Sequence, residues 1–522
     1  MATLVSPGVS VTVTDESFFI PQSAPTLPLF FVATEANKTY LGNDAVGTKE
    51  HSIVRTITSK TQALNMYGVP RFRRDSSGNG LHGDCRNEYG LFALQQFLDV
   101  GSRAFVVRAD VDLADADATV LSAIVTPMLA AGNGSVADIA VDQVNAVAQL
   151  WTLTANSPTT FTVQGFVSGD TGIATVGQVF NNGEISFRIT AGSAPYAVGD
   201  TFELNIVAST VTNPLGANDA AKRVSIVHAL QAEINSNQDV RSERFEYNLI
   251  VCPGYYEVID ELLNLSLSIG EEAFVVADTP MHLNADDVAN WSMTSARYRS
   301  CNVAYYYPHG LASNLDGNDV MCAASGIALK TIAYSDNNAE VFMAPAGSRR
   351  GLVYGVSQVG YYTGAAGTAN KFIEVNLNQG QRDNLYEYMK NINPIVFFPG
   401  RGIIIWGQKT SAPAASAMDR INVVRLMMMV RRDIRKGMFP FVFEPNDKLT
   451  REAVKSVIDG YLGDIMIRRG LYDYLVVCDD VNNTPTRIDR NELWAEVLLK
   501  PVRAVEFIYV PIRVLSTAAK MG

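Results

Sequence analysis

Two textures divide this chain, and one compact core cannot hold both. Near the start, short apolar runs alternate with helical patterns. PLFFVATEA (Pro28 to Ala36) reads as a buried strand. EYGLFALQQFLDVGSRAFVVRAD (Glu88 to Asp110) reads as a helix, a stop at Gly101 and a second buried strand, with Leu91, Leu94, Phe97 and Leu98 at helical spacing. That is an α/β beginning. DATVLSAIVTPMLAAGNGS is then expected to add one helix. From about Asn145 the chain turns into short strands, FTVQGFVSG, EISFRITAG and GDTFELNIVAS, separated by Gly, Asn and Asp. This is the pattern of a small sandwich or barrel. It ends near Asn218, where AKRVSIVHALQAEINS is helical again, and FEYNLIVCPG (Phe245 to Gly254), EVIDELLNLSLSIGEEAFVVAD and RSCNVAYYYPHG resume the α/β texture. The simplest organisation is a β domain inserted into an α/β domain.

The C-terminal third adds NINPIVFFPGRGIIIWGQKT, two strands joined at Pro399-Gly400, and RINVVRLMMMVRRDIRKG (Arg420 to Gly437), a basic helix. FPFVFEPND is expected as a strand. LTREAVKSVIDGYLGDIMIRRG (Leu449 to Gly470) is an amphipathic helix with Val454, Ile458, Tyr461 and Ile465 on one face and Gly470 as its C-cap. YDYLVVCDD and ELWAEVLLKP are strands. AVEFIYVPIRVLS closes the chain as another, with Pro511 where only an edge or a strand end tolerates it. At the other end, after the turn residues Ser6-Pro7-Gly8, Val9, Val11 and Val13 alternate with Ser10, Thr12 and Thr14. Both ends therefore carry strand-like extensions, and a strand at a chain end is readily donated to another molecule.

The bulk properties exclude several classes. A chain of 522 residues suggests about two to four domains. The composition, 47% hydrophobic and 18% charged, is that of a globular protein. A net charge of −11 argues against nucleic acid as the main partner. No apolar run approaches the roughly 20 residues of a membrane span, and the N-terminus lacks the pattern of a signal peptide. The five cysteines, Cys85, Cys252, Cys301, Cys322 and Cys478, contain no C-x-x-C pair and read as free thiols of a reducing cytoplasm.

No chemistry announces itself. None of the histidines (His51, His82, His228, His282, His309) forms a spaced metal pair, and His309, in YYYPHG, reads as a structural residue in a turn. GAAGTANK (Gly364 to Lys371) lacks the phosphate-loop spacing, DVDLADAD lacks the glycine and terminal glutamate of an EF-hand loop, and no G-x-S-x-G is present. Glu271-Glu272 reads as a solvated helix end. The one charge anomaly spans 401–436, where Arg401, Lys409, Arg420, Arg425, Arg431, Arg432, Arg435 and Lys436 face only Asp419 and Asp433. It is open to three readings: a solvated helix face favoured by the helix dipole, a docking face for an acidic partner, or a nucleic-acid contact.

Several stretches together resemble the tail sheath proteins of contractile phage tails and related injection machines. They are LVSPGVSV, FLDVGSRAFVVRA, FEYNLIVCPG with AFVVADTP, and EVFMAPAGSRRG (Glu340 to Gly351). The C-terminal succession of NPIVFFPGRGIIIWGQKT, INVVRLMMMVRRDIRK, FVFEPND and VVCDDVNNTPTRIDRNELWAEVLLKPVRAVEFIYV is the most specific part. The inserted region does not match.

The resemblance implies an α/β (α+β) multidomain sheath subunit with an inserted all-β domain and extended N- and C-terminal arms. The expected parts are an arm over 1–22, a discontinuous α/β domain over 23–120 and 217–395, a β-rich outer insertion over 121–216, an inner C-terminal domain over 396–505 and an arm over 506–522. It further implies inter-subunit strands carrying Val9, Val11, Val13, Val505, Phe507 and Tyr509, and a tube-facing basic helix carrying Arg425, Arg431, Arg432, Arg435 and Lys436. The implied partners are further copies of the chain, a tail tube protein, and baseplate and tail terminator proteins, without nucleic acid, membrane insertion, cofactor or metal. The place implied is the virion tail, assembled in the host cytoplasm. The sheath of an R-type bacteriocin or of an extracellular injection particle is the nearest alternative. A cytoplasmic α/β enzyme with a β substrate domain is the alternative of another class.

Overall fold

The computed structural model describes residues 26–510 except residue 76 and the segments 115–117, 128–130, 143–145, 212–214, 216–218, 295–298 and 364–370. The expected N-terminal strand with Val9, Val11 and Val13 and most of GAAGTANK lie outside the described residues.

The central element is Pro28–Thr34, buried at every position. Its apolar side chains must be covered on both faces, so it belongs in the middle of a sheet with helices on either side. It pairs in parallel with Leu249–Val251 on one side and Ala104–Asp112 on the other. Phe274–Asp278, Val303–Tyr307 and Ile392–Phe398 extend the parallel run. Each edge is closed by an antiparallel strand, Arg55–Ile57 at one and Gly402–Ile405 at the other, giving eight strands. The hairpin between Ile392–Phe398 and Gly402–Ile405 turns at Pro399-Gly400 as expected. Gly400 takes φ 75°, a left-handed value open to glycine at no steric cost. The boundary expected at 395–396 falls inside this first hairpin strand.

Helix Tyr89–Phe97 is buried along its whole length. Its Leu94 and Phe97 meet Phe30, Val106 and Ile332 in the main core. Helices Ile259–Ser268 and Ala324–Asn338 cover the sheet as well. A second, four-stranded antiparallel sheet runs in the order Asp319–Cys322, His309–Ser313, Gln358–Thr363, Lys371–Glu374. His309 thus sits in a strand rather than in the turn expected.

Residues 114–221 form a separate compact unit. It holds a five-stranded antiparallel sheet, ordered Gly169–Thr175, Thr160–Gly165, Leu150–Ser157, Thr201–Val211, Ala118–Pro127, and a three-stranded one. Alternate residues of Leu150–Ser157 and Ile185–Thr190 point inward, and Trp151, Phe161, Phe187 and Leu204 fill the core. The helix expected over DATVLSAIVTP is instead the strand Ala118–Pro127, in continuous antiparallel register with Thr201–Val211. The β-branched residues Thr119, Val120, Ile124, Val125 and Thr126 suit a pleated surface, and the long partner strand decides the outcome.

In the C-terminal third, helices Ile421–Met438 and Lys448–Ile467 form as expected. FPFVFEPND does not form a strand: a short 3₁₀ turn, Phe439–Phe441, runs on from the helix into irregular chain. Pro440 and Pro445 lack the N–H a ladder needs. Gly470 does not hold the left-handed turn that ends Lys448–Ile467. Arg469 does, at φ 69°, and the Gly470 amide donates to the Ile465 carbonyl at 2.8 Å. A Cβ on Gly470 would come within 2.5 Å of the Ile465 side chain, so close approach is what the glycine serves.

Candidate functional site

The helix Ile421–Met438 joins two cores. Ile421, Val424 and Met428 enter the main α/β core. Leu426 and Val430 pack with Val454, Ile458, Leu462 and Ile465 of the following helix, and with Leu471 and Val476. With apolar contacts on two sides, little of its circumference is left for water, so its cations must be matched within the chain.

Arg425 lies with 3% of its side chain exposed and grips Asp336 with both ends of its guanidinium, at 3.0 and 2.5 Å. The hydroxyl of Thr26 donates to the same carboxylate at 2.5 Å. Burial pushes the Asp336 carboxyl up, against the pull of Arg425. Arg432 is buried too. Arg425 and Arg432 therefore offer no charge to a partner, contrary to the tube-facing role expected of them.

Arg431, Arg435 and Lys436 remain partly exposed, each with an acidic neighbour. Arg431 donates to Glu271 Oε2 at 2.9 Å and to the Gly270 carbonyl at 2.8 Å, beyond the C-terminal end of Ile259–Ser268. Arg435 lies 2.6 Å from Glu272, and Lys436 is 2.5 Å from Glu246. Burial raises the Glu272 carboxyl, opposed first by Arg435. Glu271-Glu272, expected as a solvated helix end, is thus the counter-charge of the basic helix. The sequence offered no spacing to link residues 160 positions apart.

Beyond this helix, Leu471–Val477 and Glu496–Pro501 form a two-stranded antiparallel sheet. Among the described residues neither strand has a second neighbour, so each keeps an open edge. Leu475 and Leu498 stand opposite each other and are exposed. The chain then runs from Val502 to Val510 outside any strand. Val505, Phe507 and Tyr509 are 79%, 67% and 86% exposed. Among the described residues no strand pairs with 502–510, so this part of the expected closing strand is not formed. Glu506 is the one side chain of 505–510 turned inward. Both of its oxygens are held by Arg420, at 2.6 and 3.0 Å, and Gln408 and Tyr386 add hydrogen bonds at 3.1 and 3.3 Å.

One cluster outside this region invites a chemical reading. Asp278, His309 and Ser325 meet at the start of Ala324–Asn338, all buried. The Ser325 hydroxyl donates to Asp278 at 2.7 Å, not to the histidine. The Ala324 amide donates to His309 Nδ1 at 3.1 Å, so Nε2 carries the proton and donates to the Thr279 carbonyl at 2.9 Å. Both ring nitrogens are used by backbone, and burial holds the imidazole pKa below its usual value. The trio pins a helix start to a strand end. Among the described residues no group of three His, Cys, Asp or Glu is arranged to hold a metal, and no helix is long and apolar enough to cross a membrane.

Comparison with known proteins bears on the same region. The phage tail sheath C-terminal domain family matches residues 414–514. The chain is similar to the tail sheath protein of Vibrio phage KVP40, 39% identical over 187 residues, which are 36% of this chain and 26% of that protein. It is also similar to the tail sheath protein of Enterobacteria phage T4, 30% identical over 259 residues, 47% of this chain and 36% of that protein. It thus matches about a quarter to a third of the length of these relatives. The fold is similar to that of solved contractile sheath chains. The sheath complex of the extracellular contractile injection system PVC, in its contracted state, superposes with a TM-score of 0.56 at 16% identity, over 98% of each chain. The contracted helical sheath of the anti-feeding prophage gives 0.54 at 17% identity, over 98% of this chain and 99% of that one.

Proposed function

We propose that this chain is the structural subunit of a contractile sheath. It polymerises with copies of itself around a tail tube and drives the tube through a host envelope when an extended lattice rearranges into a contracted one. Baseplate and tail terminator proteins bound the polymer, which belongs to the virion tail and assembles in the host cytoplasm. The observation that carries this reading is the sheath C-terminal domain ending in an exposed apolar segment beside a two-stranded sheet with open edges.

In this reading the main chain around Val505, Phe507 and Tyr509 adds a strand to the small sheet of a neighbouring copy, and the N-terminal segment with Val9, Val11 and Val13 does the same. Main-chain hydrogen bonds supply affinity and alternate side chains supply fit. The subunit body can turn while the strand stays paired, so the lattice changes shape without coming apart. Contact with the tube is confined to Arg431, Arg435 and Lys436. The Arg431–Glu271 pair is exposed on both sides and contributes only about 0–1 kcal/mol, so exchanging Glu271 for a partner's carboxylate costs little.

Electron microscopy of the purified full chain tests this directly. Hollow, cog-wheel-like tubes are expected, and a protein that stays monomeric at high concentration and moderate salt would count against it. A chain lacking residues 1–14 should fold and fail to form long tubes.

A further inference from the structure

The two terminal segments start from the same helix. Thr26, the first described residue, is held by Asp336, and Asp336 is held by Arg425. The next residue is fixed on both sides: the Leu27 amide donates to the Asn248 side chain at 2.8 Å, and the Leu27 carbonyl accepts from the Asn248 amide at 2.9 Å. At the other end Glu506 is held by Arg420, the N-cap residue of Ile421–Met438. Between the two arginines, the Asn422 side chain reaches the Val502 carbonyl at 3.4 Å. Arg420 and Arg425 are five residues apart, about 7.5 Å along a helix. Thr26 and Glu506 are 480 positions apart in sequence but are fastened within two turns of one helix.

We infer that the first two turns of Ile421–Met438 are the common fastening of both terminal segments, with Thr26, Asp336, Arg420 and Glu506 as positioning residues. The partner of each segment, resting on the assembly reading above, is a second copy of this chain. A pull on the C-terminal segment then reaches this helix through charge-assisted hydrogen bonds, and a pull on the N-terminal segment is shared between this helix, through Thr26 and Asp336, and the sheet, through Leu27. Bidentate arginine–carboxylate pairs suit this task, because two parallel bonds resist rotation as well as extension. The exposed residues Phe507 to Val510 lie beyond the Glu506 anchor, while the residue at each root keeps its direction.

Hydrogen exchange and limited trypsin digestion of the purified full chain read the fastening without any assembly. Glu506→Ala should raise cleavage after Arg503 on the order of tenfold and speed exchange across 502–510, since removing one partner of a charge-assisted bond frees the root. The exchanged pair, Arg420→Glu with Glu506→Arg, should return cleavage toward the starting rate. Thr26→Val should speed exchange at Leu27–Leu29 and in Val424–Val430, and leave Lys448–Ile467 unchanged. Unchanged cleavage in Glu506→Ala, or helix exchange indifferent to Thr26→Val, would overturn the inference. Tube formation is scored separately. If the unmodified chain forms no tubes, the assembly reading fails while exchange still decides the fastening. If it forms tubes, those of Glu506→Ala should be shorter.

Discussion

At the residue scale, the basic helix separates two kinds of charge. Arg425 is buried against Asp336, where losing one partner strands the other in a dry site. Arg425→Ala or Asp336→Asn should therefore cost about 3–5 kcal/mol. Arg431→Ala, whose pair with Glu271 is exposed on both sides, should cost less than about 1 kcal/mol. Urea denaturation of the three variants checks the contrast, and similar losses for Arg425 and Arg431 would refute the distinction. His309 supplies a pH dependence. Burial lowers its folded pKa, so below the ordinary value of about 6.5 the unfolded chain binds a proton that the folded chain resists. Protonation at Nδ1 would also break the Ala324 bond and place a positive charge at a helix N-terminus. Stability should fall as pH drops below about 6.5, more steeply in the parent than in His309→Gln, as thermal melts across pH 7 to 5 would reveal.

At the scale of elements, the insertion has its own core, and its strands Leu150–Ser157 and Ile185–Thr190 alternate inward and outward along the short-strand stretch that the sequence marks from about Asn145. Phe161→Ala should loosen exchange throughout 150–206 by the roughly 3–5 kcal/mol of a deleted core aromatic. The amides of Pro28–Thr34 and Tyr89–Phe97 should not respond, because their core is separate. Loss of protection in both sets would mean that the two cores melt as one. The strand Ala118–Pro127 departs from the expected helix because Ala118, Leu121 and Ala123 favour a helix locally, while the β-branched residues and a long partner strand favour the sheet. Its ten-residue pairing with Thr201–Val211 is a contact between distant stretches of chain. FPFVFEPND misled in the other direction: its aromatics favour strands, but its prolines and the preceding helix forbid a ladder.

At the scale of the whole molecule, function in the proposed reading resides in surfaces shared between copies. Arg431→Gln combined with Lys436→Gln, which removes cations from exposed pairs without setting like charges together, should leave the monomer's melting temperature nearly unchanged and weaken assembly on the tube, most at low salt where screening is least. Equal tail yields across salt for the variant and the parent would remove these residues from the contact. The apolar runs, the helix over 421–438 and the turn at Pro399-Gly400 were legible in the sequence, because each rests on local periodicity or on the backbone limits of proline and glycine. The positions of the cations were not. Sequence showed a basic helix in an acidic chain. Only the tertiary structure decided that Arg425 would be buried against Asp336 while Arg431 and Arg435 met Glu271 and Glu272. Apolar contacts on two sides of the helix dictate where its charges can go, and those contacts come from segments far apart in the chain. The same holds for 505–510: periodicity marks Val505, Phe507 and Tyr509 as a strand, but pairing is a property of two strands, and among the described residues these three have no partner strand.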